Sequence, residues 1–277
     1  MVEKALALDS LNPDYIKERA KIYDKMGAND KALQDYYSYL RYDSNNAIVL
    51  RDIGTILEEN CDYFESSRYF KKSIEIDSTS TYALLYLAMN EFKLGNYAEC
   101  KHYAEMANKV NPDIANPYNE LGLVYTHYKN WDLAILNFTE AIKRDSSWPH
   151  YYNNRGYAYS QIDSMQSAID DYKAAIQLNA TDEDFYLNLA DAFNILGQND
   201  SALWYYDKSI SLIKPGYEAN LAIAFYNRAY LRLKMGDTIS AQGDFEFLDS
   251  IGYKSANHFV FGFNDTCSTT YNNGYSK

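Results

Sequence analysis

Residues 149–182 read PHYYNNRGYAYSQIDSMQSAIDDYKAAIQLNATD. Small residues stand at Gly156, Ala168 and Ala175, and the aromatic Tyr172 sits one turn beyond Ala168. Two apolar-periodic stretches of about 13 residues flank a polar break, which is the pattern of two helices joined by a turn. A lone hairpin of this kind cannot bury both of its faces, so neighbours of the same design are expected. They are present. Cutting every 34 residues from Pro13 gives six blocks in one register: 13–46, 47–80, 81–114, 115–148, 149–182 and 183–216. Residues 217–221 interrupt the period, and a seventh block runs over 222–255.

The eighth place of the blocks holds Ala20, Gly54, Ala88, Gly122, Gly156, Ala190 and Ala229. Twelve residues later stand Ala32, Ser66, Cys100, Ala134, Ala168, Ala202 and Ala241, all small. Four residues further come Tyr36, Phe70, Phe138, Tyr172, Tyr206 and Phe245, with Ala104 as the exception. A looser small column follows at Ser73, Ala107, Ala141, Ala175 and Ser209, with Tyr39 and Leu248 at the ends. Small residues where two helices cross let the backbones approach, and the aromatics beside them fill the groove between hairpins. The breaks contain Gly27, Gly95, Gly197 and Gly236, where a helix can end in the left-handed region.

This pattern resembles the tetratricopeptide repeat family, most closely in blocks 115–148 and 149–182. The first carries Tyr118, Gly122, Tyr125, Trp131, Ala134, Phe138 and Ala141 in the family's places. The resemblance covers residues 13 to about 250. It implies an all-α, right-handed superhelical solenoid of antiparallel hairpins, in which the first helix of each hairpin lines a concave face. On function it is nearly silent, because one scaffold serves many tasks.

Ala5-Leu6-Ala7-Leu8-Asp9-Ser10 is in phase with Ala141–Ser146. Residues 1–12 therefore read as the second-helix remnant of a preceding repeat, either a cut end or a natural half-repeat cap. At the other end, residues 256–277 read as a cap over the last hairpin followed by a mobile polar tail.

The formal net charge is −12, which disfavours a phosphate backbone as partner. No stretch approaches the roughly 18 apolar residues of a membrane span, and no apolar signal follows Met1. A soluble chain is expected, either cytoplasmic or exported after loss of an upstream signal. Cys61, Cys100 and Cys267 are odd in number and lack a Cys-x-x-Cys spacing, which argues against a disulfide framework or a zinc site. Cys100 lies in a small-residue column and reads as a packed core thiol.

No catalytic set, metal-ligand set or cofactor site emerges. His102, His127, His150 and His258 lack ligand spacing, and Asp170-Asp171 and Asp182-Glu183-Asp184 read as helix caps and exposed faces. The expected function is thus a non-catalytic scaffold that binds an extended peptide or protein segment in the concave groove. The alternative is a regulatory or substrate-docking array cut from a larger enzyme or bacterial envelope-assembly protein.

Asn154, Asn188 and Asn227 recur two places before the Gly/Ala column, and Glu120 with Asn119 beside it takes that place in the block before. A carboxamide carries both donor and acceptor, so such a ladder can pair with both halves of a peptide amide. It reads equally as family scaffold. The candidate groove set is Asn119, Glu120, His150, Asn153, Asn154, Tyr157, Asn188, Asp191, Tyr226, Asn227 and Tyr230. In the N-terminal half the inner face would present Lys17, Lys21, Arg51, Tyr82, Tyr86 and Met89, making it basic and aromatic there. Asp52, Tyr82 and Tyr86 replace the Asn, Lys and Arg that family members use to hold chaperone tails, so that recognition is not expected. The partner's identity stays open. Self-association through the uncapped N-terminal face is a further route.

Overall fold

Asn12 opens the first helix: its side chain accepts from Asp14 N at 3.0 Å, and Pro13 takes the first helical position. The computed structural model describes residues 12–214 and 218–253. The expectations for residues 1–11 and 256–277 lie outside the described residues.

The described residues form α1 (Pro13–Lys25), α2 (Asn29–Tyr39), α3 (Ala47–Glu59), α4 (Tyr63–Ile76), α5 (Thr81–Lys93), α6 (Tyr97–Val110) and α7 (Asn116–His127). They continue with α8 (Trp131–Arg144), α9 (Pro149–Ser160), α10 (Met165–Leu178), α11 (Glu183–Ile195), α12 (Asn199–Leu212), α13 (Glu218–Lys234) and α14 (Thr238–Ser250). There is no strand among the described residues, and the fold is an all-α helical repeat. Two compact units divide inside α7, after Val124. In the N-terminal unit, α1 pairs with α2, α3 with α4 and α5 with α6, and each hairpin packs on the next. In the C-terminal unit, α9 pairs with α10, α11 with α12 and α13 with α14. Here too the hairpins stack in order, and α11 also touches α9 and α13.

The small columns do what their size allows. Ala20, Ala88, Ala190 and Ala229 of the first column are fully buried, as is every member of the second. A Cβ added to Gly54 would lie 3.1 Å from the Phe70 ring, and one on Gly156 would lie 2.9 Å from Tyr172 and 3.2 Å from the Ala168 carbonyl. Ser66 Oγ donates to the Gly54 carbonyl at 2.7 Å across the same crossing. In the looser column, Ser73 and Ser209 donate to the Ala47 and Glu183 carbonyls at 2.9 and 3.0 Å. They tie the end of the second helix to the start of the first.

The turn inside each hairpin has a positive φ at one fixed place. Glycine stands there at Gly27, Gly95, Gly197 and Gly236, but Cys61 (64°), Lys129 (56°) and Asp163 (59°) adopt the same conformation. The turn is thus imposed by the hairpin even where glycine is missing. Cys61 corrects a second expectation: the odd cysteine count pointed away from disulfides, yet this residue is disulfide-bonded. Cys100 is free and buried, and burial pushes its thiol up. Of the residues 217–221 that break the 34-residue period, 218–221 do not break a helix. Residues 218–221 form the first turn of α13, which has 17 residues.

One device escaped the sequence reading. Arg19, Arg155 and Arg228 each form a two-pronged ion pair with the aspartate 16 residues on, Asp35, Asp171 and Asp244. In the second, third and sixth hairpins the same two places hold Ile53 and Tyr69, Leu87 and Tyr103, and Leu189 and Tyr205, which pack within shared apolar clusters. Asp171 is therefore no exposed cap residue, as its sequence context had suggested. It is a buried partner of Arg155.

Candidate functional site

The first helices α9, α11 and α13 of the C-terminal unit line a cleft of about 330 Å³. Tyr157 comes from α9, Asn188 and Asp191 from α11, and Tyr226, Asn227 and Tyr230 from α13. The helical period explains their convergence: residues three or four apart on one helix share a face, as Asn188 and Asp191 do, and Tyr226 and Tyr230.

Side-chain bonds step from each first helix to the next. Asn188 Nδ2 donates to Asn153 Oδ1 at 2.8 Å, and Asn227 Nδ2 donates to Asp191 Oδ1 at 3.0 Å. Asn220 Nδ2 donates to Asp184 Oδ1 at 3.1 Å. The rungs thus join Asn188 to Asn153 and Asn227 to Asp191, and do not run along the column of three asparagines. Asn154 lies on α9 but is not among the residues lining the cleft. Each of Asn188 and Asn227 spends one N–H on its rung, which leaves the carboxamide a second N–H and its oxygen.

Asp191 is the ionisable floor of the cleft. Tyr206 Oη also donates to its Oδ1. Burial pushes the Asp191 carboxyl up to about 6, against the opposing bonds from Tyr206 and Asn227. Tyr172 lines the same cleft, and burial raises its phenol. Tyr172 and Tyr206 both belong to the groove-filling aromatic column of the repeat. The hint at their second role was the choice of Tyr where that column elsewhere has Phe70 and Phe138.

His150 sits at the start of α9, with its ring 5.4 Å from Trp148 and 5.2 Å from Phe185, centroid to centroid. Burial lowers it to about 4. Its Nε2 lies 3.8 Å from Asp182 Oδ2. Burial, with Asp184 and Glu183 adding repulsion, pushes that carboxyl up to about 7. Asp182 also caps α11 by accepting from Asp184 N.

Asn119 and Glu120 belong to α7 in the N-terminal unit and are described apart from the cleft. Glu120 is buried, Asn119 Nδ2 donates to it at 3.4 Å, and burial pushes it up to about 7. In the same unit the expected basic face is largely neutralised or buried. Arg51 pairs with Asp52 at 2.7 Å and lies over the Tyr82 ring, Lys17 pairs with Asp14, and Tyr86 and Met89 are buried.

Among the described residues no group of His, Cys, Asp or Glu could hold a metal ion, and no helix is long and apolar enough to cross a membrane.

The family profile described as "Tetratricopeptide repeat" matches residues 149–182. Among curated proteins, anaphase-promoting complex subunit 3 of Schizosaccharomyces pombe is 26% identical over 129 residues, 47% of this chain and 19% of that protein. The chain spans less than a fifth of the length of the curated relatives it matches. Among solved structures, a tetratricopeptide repeat protein from Parabacteroides merdae superposes with a TM-score of 0.69 at 17% identity, covering 88% of this chain and 94% of that one. YrrB, described as a TPR protein with an unusual peptide-binding site, superposes with a TM-score of 0.52 at 17% identity, over 67% and 95%.

Proposed function

We propose that this chain, a tetratricopeptide-repeat protein, is a non-catalytic interaction scaffold that holds an extended segment of a partner protein along α9, α11 and α13. The observation that carries the reading is the cleft in which these first helices converge. Its walls are tyrosine rings and its rungs are carboxamides with spare donor and acceptor capacity. That combination suits a peptide: carboxamides pair with main-chain amides whatever the sequence, and rings pack on the side chains between them. The contact set is Asn153, Tyr157, Asn188, Asp191, Tyr226, Asn227 and Tyr230, with Asn154 and His150 at its edge. A protein-binding role also agrees with one relative whose name makes it a subunit of a complex.

The test is capture of protein partners by the full chain beside an Asn188→Ala, Asn227→Ala double variant. A partner bound by the first and lost by the second, at unchanged helicity, is the expected result. Equal retention would remove the cleft from the binding function.

A further inference from the structure

The floor of the cleft carries a group that pairing with a peptide backbone leaves unused. Both side-chain bonds that reach Asp191 fall on one oxygen: Tyr206 Oη and Asn227 Nδ2 share Oδ1. Oδ2 accepts none among the described residues, and no lysine, arginine or histidine pairs with this carboxylate. Nor does any residue lining the cleft carry a positive charge. Two basic side chains of these helices are engaged elsewhere: Arg155 on Asp171 of its own hairpin, and Arg228 on Asp244 of its own hairpin and Asp207 of the preceding one.

A carboxylate drawn out of water without a countercharge is held at a cost in free energy. A cation brought by a partner removes that cost, whereas an acidic or neutral side chain does not. The walls favour the same visitor. Tyr157, Tyr172, Tyr226 and Tyr230 line the space around Asp191, and the faces of tyrosine rings attract ammonium and guanidinium groups. Tyr226 and Tyr230 lie 4.6 Å apart, centroid to centroid, and Tyr230 is 54% exposed, so its ring is open to an incoming chain. The volume, about 330 Å³, is at the low end for a small-ligand pocket and suits one long side chain with its adjoining backbone. The chain's net charge of −12 steers a basic partner toward it and an acidic one away.

We infer that the cleft accepts a lysine or arginine side chain from the extended partner segment, its cation seated on Asp191 Oδ2 and its stem among the tyrosine rings. This rests on the reading that α9, α11 and α13 hold such a segment, and it adds which side chain the segment must present.

The test is selection from a displayed library of random peptides of about twelve residues on the full chain, with selected peptides then measured by titration. Asp191→Asn is the first variant, because it removes the charge but keeps an oxygen for Tyr206 and Asn227. Tyr230→Ala is the second, at a position 54% exposed, with helicity checked beside it. The expected result is enrichment of peptides with lysine or arginine at one shared position. Affinity should fall at least about tenfold when that residue is replaced by norleucine or when Asp191→Asn is used, and several-fold with Tyr230→Ala. Enriched peptides with no basic position, or undiminished binding by Asp191→Asn, would overturn the cation site and leave the peptide cleft standing. No enrichment, together with equal partner retention by the Asn188, Asn227 double variant, would overturn both.

Discussion

Gly156→Ala and Gly243→Ala are the same chemical change inside two helices, and the structure assigns them opposite signs. Alanine is favoured over glycine within a helix by about 1 kcal/mol. At Gly243, in α14, a new Cβ meets nothing within 4 Å, so that gain should appear nearly whole. At Gly156, in α9, the Cβ would lie 2.9 and 3.0 Å from Tyr172 ring carbons and 3.2 Å from the Ala168 carbonyl. The ring is only 2% exposed and cannot swing into solvent, and the carbonyl belongs to the α10 backbone. Overpacking of this kind costs about 1–3 kcal/mol, which outweighs the propensity gain and leaves a net loss of about 1 kcal/mol. The assay is urea unfolding followed by helical circular dichroism. Midpoints are compared because a repeat array need not unfold in one step. Gly243→Ala should raise the midpoint and Gly156→Ala should lower it. If both rise equally, the Tyr172 ring yields without penalty, and close backbone approach is not what keeps residue 156 without a side chain.

The turn residues give a complementary result: Lys129→Gly, at φ 56° with an exposed side chain, should stabilise by about 0.5–1 kcal/mol, read as a raised melting temperature. The ion pair in the fifth hairpin should be replaceable as a unit. Arg155→Leu alone strands a buried Asp171 and should cost roughly 3 kcal/mol. Adding Asp171→Tyr, to copy Leu189 and Tyr205 of the next hairpin, should recover most of it in the same unfolding assay. Glu120 titrates from 4.5 up to about 7 on burial, so the folded chain holds this proton more tightly than the unfolded one. Its contribution is full below about 4.5 and is lost as pH rises through 7. Glu120→Gln should therefore match the parent near pH 4 and exceed its melting temperature at pH 8. The difference amounts to roughly 3 kcal/mol, and identical pH profiles would refute it.

The 34-residue register was legible because each column answers a local demand that any single repeat makes. A small residue must stand where two backbones cross, and an aromatic one must fill the space beside it. Gly54 with Phe70 and Gly156 with Tyr172 meet that demand in contact. The pairs at seven and twenty-three of each block were legible only in hindsight. Arg155 with Asp171 and Leu189 with Tyr205 are different chemistry in the same two places, and each residue alone looks like an ordinary helix position. The exchange shows only when both partners are seen touching across the hairpin.

The cleft divides in the same way. Helical period and repeat length alone put Tyr157, Asn188, Asp191, Tyr226, Asn227 and Tyr230 on the faces of successive first helices. Which of them bond to one another was decided by the tertiary structure. The offset between stacked hairpins aligns Asn188 with Asn153 and Asn227 with Asp191, and not the three asparagines of one column. Packing within the sixth hairpin brings Tyr206 of α12 onto the Asp191 oxygen that Asn227 also uses, leaving the other oxygen for the cleft. A repeat period states where each residue stands in its own hairpin; the packing of one hairpin against the next sets which atoms meet.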